Sequence, residues 1–575
     1  MRFAVLLFGL VISVPNAFCF SPYYSAGKVA RWDFAYAGNE PTLFNSTTKA
    51  IKFWIGSDTA TVANRTAELN AIRASFAQWQ AIPGTILKFE ESGVTTTNTM
   101  DIALGDHRNL VFFTKSTFIA GQFFSGAAYT RVQYDSQNRV VEADIALNGN
   151  LTWFTDFNSP STTKFVEAVV THEIGHFLGL DHTPLGGACV IDGGPGIGPA
   201  VGLSPDEIAA ARFLYPATGT LATLGTLTGL VKTNGVAIMG AMVTAEDSHG
   251  NAVSSTTTDS TGKYTLPALA PGSYFVRVSP LDPTGAASNL SLFRDKDIAV
   301  DYANSAVTAF KATANVPATV TANVTTTVNF NVTPGEPAFR IQQVTVPTTA
   351  QSAPAPVRYA SSIYPGEAMY TGVAGLAIPS DAVLKISGDG VTMGPMIYEP
   401  NRFSTGANLL QASVTVALNA TPGLRSYVVT RGNDVAYANG YLEIMPLLID
   451  YNFDGLDDRF QRRYFPLWTA PEAGPTADPD GDKFGNAFEW MTASDPTNAQ
   501  SFNFAIDRVD YTPTSRQVTW KSEVGKKYQL YGKADVAGAT WLPVGAQVTA
   551  TTTSTQVTDP DNSSIIKFYK LKLVP

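Results

Sequence analysis

His172-Glu173-Ile174-Gly175-His176-Phe177-Leu178-Gly179-Leu180-Asp181-His182 is the stretch around which the chain is organised. The protein has 5 histidines, and three of them fall here. His172 and His176 are spaced i, i+4, so on a helix they share a face one turn apart and can reach one metal ion. Gly179 follows, where a chain leaves a helix through backbone angles that other residues resist. The turn then returns His182 as a third ligand, and Glu173 is placed to act as general base on a water. Histidines packed into a core would explain part of this pattern. They would not explain three histidines, an acid and a glycine in this register, so the expectation is a zinc site.

Outward from this stretch, residues 20–217 read as one α+β unit. Phe165, Val166, Val169, Val170, Ile174 and Phe177 predict a helix over 163–180 that is buried on most sides. Strands are expected at 50–55, 86–90, 101–104 and 140–148. Leu69, Ile72, Phe76 and Trp79 predict an amphipathic helix over 65–81, started by Asn64. Ser204-Pro205-Asp206-Glu207 gives an N-cap, a proline at the first helical position and two acids in the first turn.

The spacing HExxHxxGxxH resembles the zinc signature of the metzincin metalloproteases. The wording of 172–182 is similar to the matrixins, the matrix metalloproteinase-like group. That resemblance implies zinc ligands His172, His176 and His182, Glu173 as the catalytic base, and a protein or peptide substrate. It also implies an extended substrate pairing with an edge strand, for which Ala143–Leu147 is the candidate. The chain departs from the pattern in four places. Val190 stands where matrixins carry the methionine of the turn beneath the zinc. Asp192 stands where astacins and serralysins place a tyrosine ligand. Thr183 replaces the usual serine after the third histidine. Only His107 is available upstream for the family's second, structural zinc. No cysteine-bearing propeptide is recognisable.

Composition and address agree with an exported protein. A chain of 575 residues should hold about three to five domains. The net charge of −9 argues against a nucleic-acid footprint. Residues 1–19 read as a secretory signal peptide: Met1-Arg2, an apolar run from Phe3 to Val14, then Ala17-Phe18-Cys19 before the cut. No later stretch is apolar enough to span a membrane. If Cys19 leaves with the signal, Cys189 has no partner within the chain and reads as a small packed residue, with a reactive thiol as the alternative.

Beyond 217 the helical periodicity fades and the expectation is multidomain, with all-β sandwich modules and a calcium-loop linker after the α+β unit. Strand and turn spacing over 218–335 resembles the carboxypeptidase regulatory-like module. Residues 336–448 are compatible with an immunoglobulin-like sandwich. Residues 449–500 carry two acidic clusters, Asp450, Asn452, Asp454 and Asp458, then Asp478, Asp480, Asp482, Asn486 and Glu489. Alternating oxygen donors closed by an acid at the twelfth position suit Ca²⁺. Each loop is imperfect: Gln461 replaces the closing acid of the first and Lys483 the glycine of the second. A solvated acidic linker is the alternative. The segment resembles the thrombospondin type 3 and dockerin-like calcium loops of secreted bacterial proteins. Residues 501–575 read as a terminal β-module. Two functions stand at this point. One is a secreted zinc endopeptidase acting on extracellular proteins. The other is a surface adhesion or binding protein whose metzincin unit is inactive. A zinc hydrolase of non-protein substrates is a third reading.

Overall fold

The structure is a computed structural model. It describes residues 21–574 apart from 23, 26–27, 36–39, 97–105, 120–121, 124–125, 158–162, 192–201, 281–308, 347–355, 358, 404–405, 493, 500, 502–505, 513, 535–539 and 562–566. The expected signal peptide, the strand at 101–104, Cys19 and Asp192 therefore lie outside the described residues. The chain divides into two compact units, Met1–Phe453 and Asp454–Pro575.

The first unit begins with a twisted sheet. Its strands are β1 (Ile51–Gly56), β2 (Phe89–Thr95), β3 (Leu110–Thr114), β4 (Ala128–Tyr134) and β5 (Val140–Asn148). They lie in the order β2-β1-β3-β5-β4, all parallel except β4 against β5. β5 is therefore interior, and the candidate edge at Ala143–Leu147 is corrected: the edges are β2 and β4, and β4 is the one that pairs with β5. The burial of β5 on both faces gives the reason, since an interior strand of a mostly parallel sheet is covered on both sides. The sequence reading had assigned no strand to 110–134.

Helix α1 (Arg65–Ala81) buries Leu69, Ile72, Phe76 and Trp79, the stripe its spacing predicted. Asn64 holds the N-cap position but makes no side-chain capping bond. Glu68 ties the helix start instead, accepting from the Ala60 N–H at 2.7 Å. Phe76 stacks on Phe53 of β1 at 3.9 Å between ring centroids, seating α1 on the sheet. Helix α2 (Val166–Phe177) packs on α1, with Trp79 Nε1 donating to Thr171 O at 2.9 Å. α2 is shorter than 163–180 because Lys164–Phe165 pairs with Trp153–Phe154 as extended chain. α3 (Pro205–Leu214) starts with a full capping box between Ser204 and Glu207.

Two sandwiches complete the first unit. In one, Gly225–Thr233, paired with Lys263–Leu269, faces a sheet of Ala252–Thr257, Met242–Asp247, Gly272–Ser279 and Val316–Val320. In the other, Ala368–Gly375 and Asn408–Val416 lie in one sheet and Gly423–Arg431 and Asp434–Ile444 in the second. The fully buried Arg277 joins them, binding Glu246 of its own sandwich and Asn439 and Ser426 of the next. The second unit holds short helices Asp458–Tyr464 and Asn486–Thr492 and two small antiparallel sheets. From Asp454 onward the segment expected as a linker belongs to the same compact unit as the terminal strands. Among the described residues no helix is long and apolar enough to cross a membrane.

Candidate metal centre

α2 carries His172, Glu173 and His176, and the turn after it carries His182. Gly179 makes that turn at φ +93°, and a Cβ there would sit 2.3 Å from Ala30 O, so both conformation and space require glycine. The three imidazoles converge, one ring nitrogen from each lying within 4.8 Å of the others.

The hydrogen bonds behind the rings fix their chemistry. His172 Nδ1 lies 2.8 Å from Cys189 O and His176 Nδ1 lies 2.7 Å from Leu180 O. A carbonyl only accepts, so each Nδ1 carries a proton and each ring turns its Nε2 inward. Burial, then the neighbouring His176 and His182, hold the His172 pKa well below its usual value, which keeps that ring neutral. The two Nε2 atoms face each other at 3.1 Å. Nitrogens at that distance need either a shared proton or a metal cation between their lone pairs. Tetrahedral zinc at its usual bond lengths sets such nitrogens ~3.3 Å apart. The donor set therefore fits Zn²⁺.

Glu173 is buried on the same helix, and its carboxylate accepts a short hydrogen bond from the Thr130 hydroxyl of β4. Burial pushes the Glu173 carboxyl up to about 7, against Thr130 and His182, which lower it. A base near neutrality suits proton transfer at physiological pH. Thr130 was not foreseen, because no motif links it to a residue 43 positions away. Cys189 is 2 % exposed, and burial raises its thiol pKa well above the usual value, so its carbonyl rather than its sulfur serves the site. Among the described residues His107 joins no such cluster: its Nδ1 lies 3.7 Å from Glu40 on a half-exposed surface.

The floor is apolar. Val190 is 1 % exposed and packs under α2. Thr183, next to the third histidine, donates to Asp206 of α3 at 2.8 Å, and Asp206 also accepts from Ser254 at 2.7 Å in the following sandwich. The loop after His182 rests on the third module. Gly186 N–H donates to Asn439 O at 2.9 Å, and Cβ atoms on Gly186 and Gly187 would strike Tyr441 and Leu424.

The acidic candidates behave differently from one another. Asp450 and Asn452 lie in the first unit and Asp454 and Asp458 in the second. Asp478, Asp480 and Asp482 converge, a carboxylate oxygen of each within 4.8 Å of the others. Asn486 and Glu489 are both buried on the short helix that follows.

The matrixin family profile matches residues 45–215, and the carboxypeptidase regulatory-like profile matches residues 226–333. No curated protein matches the sequence. Among solved structures, the minor pilin GBS52 of Streptococcus agalactiae is 14% identical, with 20% of this chain and 45% of that chain covered and a TM-score of 0.14. The major pilin BcpA of Bacillus cereus is also 14% identical, covering 39% and 69%, with a TM-score of 0.13. The pilus protein RrgB of Streptococcus pneumoniae is 11% identical, covering 62% and 63%, with a TM-score of 0.15. Likenesses of that size decide neither fold nor function. The profile match and the three-histidine geometry agree: residues 45–215 form a matrixin-like catalytic domain, and a carboxypeptidase regulatory-like domain follows it.

Proposed function

We propose that the protein is a secreted zinc metalloendopeptidase that hydrolyses peptide bonds of extracellular proteins. The observation that carries this is the pair of inward-facing Nε2 atoms beside a buried glutamate held by Thr130. His172, His176 and His182 would hold a zinc ion, which would supply Lewis-acid chemistry to the scissile carbonyl and the attacking water. Glu173 takes the proton from that water and passes it to the leaving amine. Thr130 orients the Glu173 carboxylate. Substrate lies extended along β4, which has β5 on one side and no strand on the other among the described residues. The signal-peptide character of residues 1–19 supports export.

Metal analysis of the purified protein together with casein or gelatin digestion, wild type against Glu173→Ala, tests this. One equivalent of zinc in both, with digestion only by the wild type, is the expected result. Bound zinc with equal, background-level digestion would remove the protease reading. It would favour the second reading, a surface-binding protein with an inactive centre, which the Val190 floor and the extensive β-sandwich portion support.

A further inference from the structure

The second unit contains a cluster of oxygen donors unrelated to the histidine centre. Asp478, Asp480 and Asp482 stand at alternate positions with their carboxylates gathered. The loop is prefolded around them: Asp478 accepts from the N–H groups of Gly481, Asp482 and Lys483, and Asp482 from that of Phe484. Three gathered carboxylates on a surface loop would by themselves mean little.

The independent observation comes from the helix behind them. Glu489 is 2 % exposed, yet only its Oε1 has a partner, Ser494 at 3.2 Å; its Oε2 is buried with none. Burial pushes its carboxyl up to about 7 against the Ser494 bond, and the charges of Asp480, Asp482 and Asp478 raise it further. Asn486 N–H donates to Ala477 O at 2.9 Å, which seats the start of this helix beside Asp478. Asn486 is fully buried. Its Nδ2 donates to Glu472 O and Gly474 O at 2.9 and 2.8 Å, which fixes the amide and leaves Oδ1 buried without a partner. Asp480 Oδ2 is a third such atom. A buried acceptor without a donor is costly, and three within one loop and the short helix that follows it require an explanation. Lys483 adopts φ +80°, so it takes the left-handed turn at the sixth position that glycine usually makes.

We propose that Asp478, Asp480, Asp482, Asn486 and Glu489 form a Ca²⁺ site that holds the second unit together. All donors are oxygens, which selects a hard cation. The acid at the twelfth position can bind through both oxygens, as the six to eight ligands of Ca²⁺ allow and the strict octahedron of Mg²⁺ does not. The ion satisfies the three orphan oxygens and neutralises four clustered carboxylates.

Titration of the chelator-stripped full-length protein with Ca²⁺ alone, by calorimetry and thermal denaturation, tests the assignment. The wild type is expected to bind Ca²⁺ and gain thermal stability, with a weaker response to Mg²⁺. Glu489→Gln and Asp482→Asn should each lose one equivalent of Ca²⁺ while zinc content stays unchanged. Circular dichroism at low Ca²⁺ shows whether either variant folds, and the milder Asp482→Asn serves if Glu489→Gln does not. No Ca²⁺ response in the wild type, or unchanged stoichiometry in a folded variant, overturns the proposal. Neither result bears on the protease reading.

Discussion

Gly175 lies directly on Val190: a Cβ built on the glycine would sit 2.5 Å from Val190 Cγ2. The glycine precedes the second histidine on α2, and the valine occupies the place that matrixins give to methionine. The missing side chain on the helix and the branched side chain below it are complementary, so the floor is closed by a different pair of shapes.

Gly175→Ala should destabilise the protein by about 1–3 kcal/mol through overpacking. Val190→Ala should relieve that clash, so the double variant loses less than the sum of the single losses. Thermal denaturation of the four proteins checks this, with zinc content reporting whether the histidine bed has moved.

Thr130→Val removes the hydroxyl that binds the Glu173 carboxylate. If Thr130 orients the base, kcat should fall at nearly constant KM, and Thr130→Ser should restore it. Glu173→Gln should fall further, by roughly 10²–10⁴-fold, with zinc retained. Equal kcat in wild type and Thr130→Val would remove the positioning role.

Asp206 predicts a pH dependence of stability. Burial, and then the charge of Glu207, push its carboxyl from 3.8 up to about 7. Because the folded pKa is raised, folding favours the protonated form. Its contribution is fully present below about pH 4 and is lost as pH rises through about 7. Asp206→Asn should flatten the unfolding midpoint across that window, measured by thermal melts between those two limits. An unchanged slope would show that other groups govern it.

The loop that follows His182 should depend on the third module. A chain ending near residue 217 exposes Leu185, which is fully buried, and the glycine backbone that rests on Tyr441 and Leu424. It should be less stable and hydrolyse casein more weakly than a chain ending near residue 453. Comparable activity of the two would show that the β-modules only pack against the site.

The legible parts of the molecule were those set by neighbours in sequence. α1 ran over the predicted residues, the Ser204 box formed, and His172, His176 and His182 met, because helix periodicity, capping and a glycine exit act within a few residues. Asn64 failed as a cap because its backbone sits at φ −102°, ψ 10°, outside the extended region from which a side chain caps. Lys483 looked like a defect in a loop, yet its backbone reached the left-handed region. Residue type sets a preference there and the surrounding fold can override it.

By itself the sequence pointed to the three histidines that converge, to Glu173 beside them, and to the change from α+β to β-rich character. Only the tertiary structure decided that β4 rather than β5 is an open edge, that Thr130 holds Glu173, and that Val190 fills the space above which Gly175 sits. Strand order and side-chain contact across the core depend on which distant segments pack together. Thr130 and Glu173 are 43 residues apart, and Asp206 and Ser254 are 48. No local periodicity encodes such distances; they exist only once the sheet has closed over the helices and the modules have docked behind the loop.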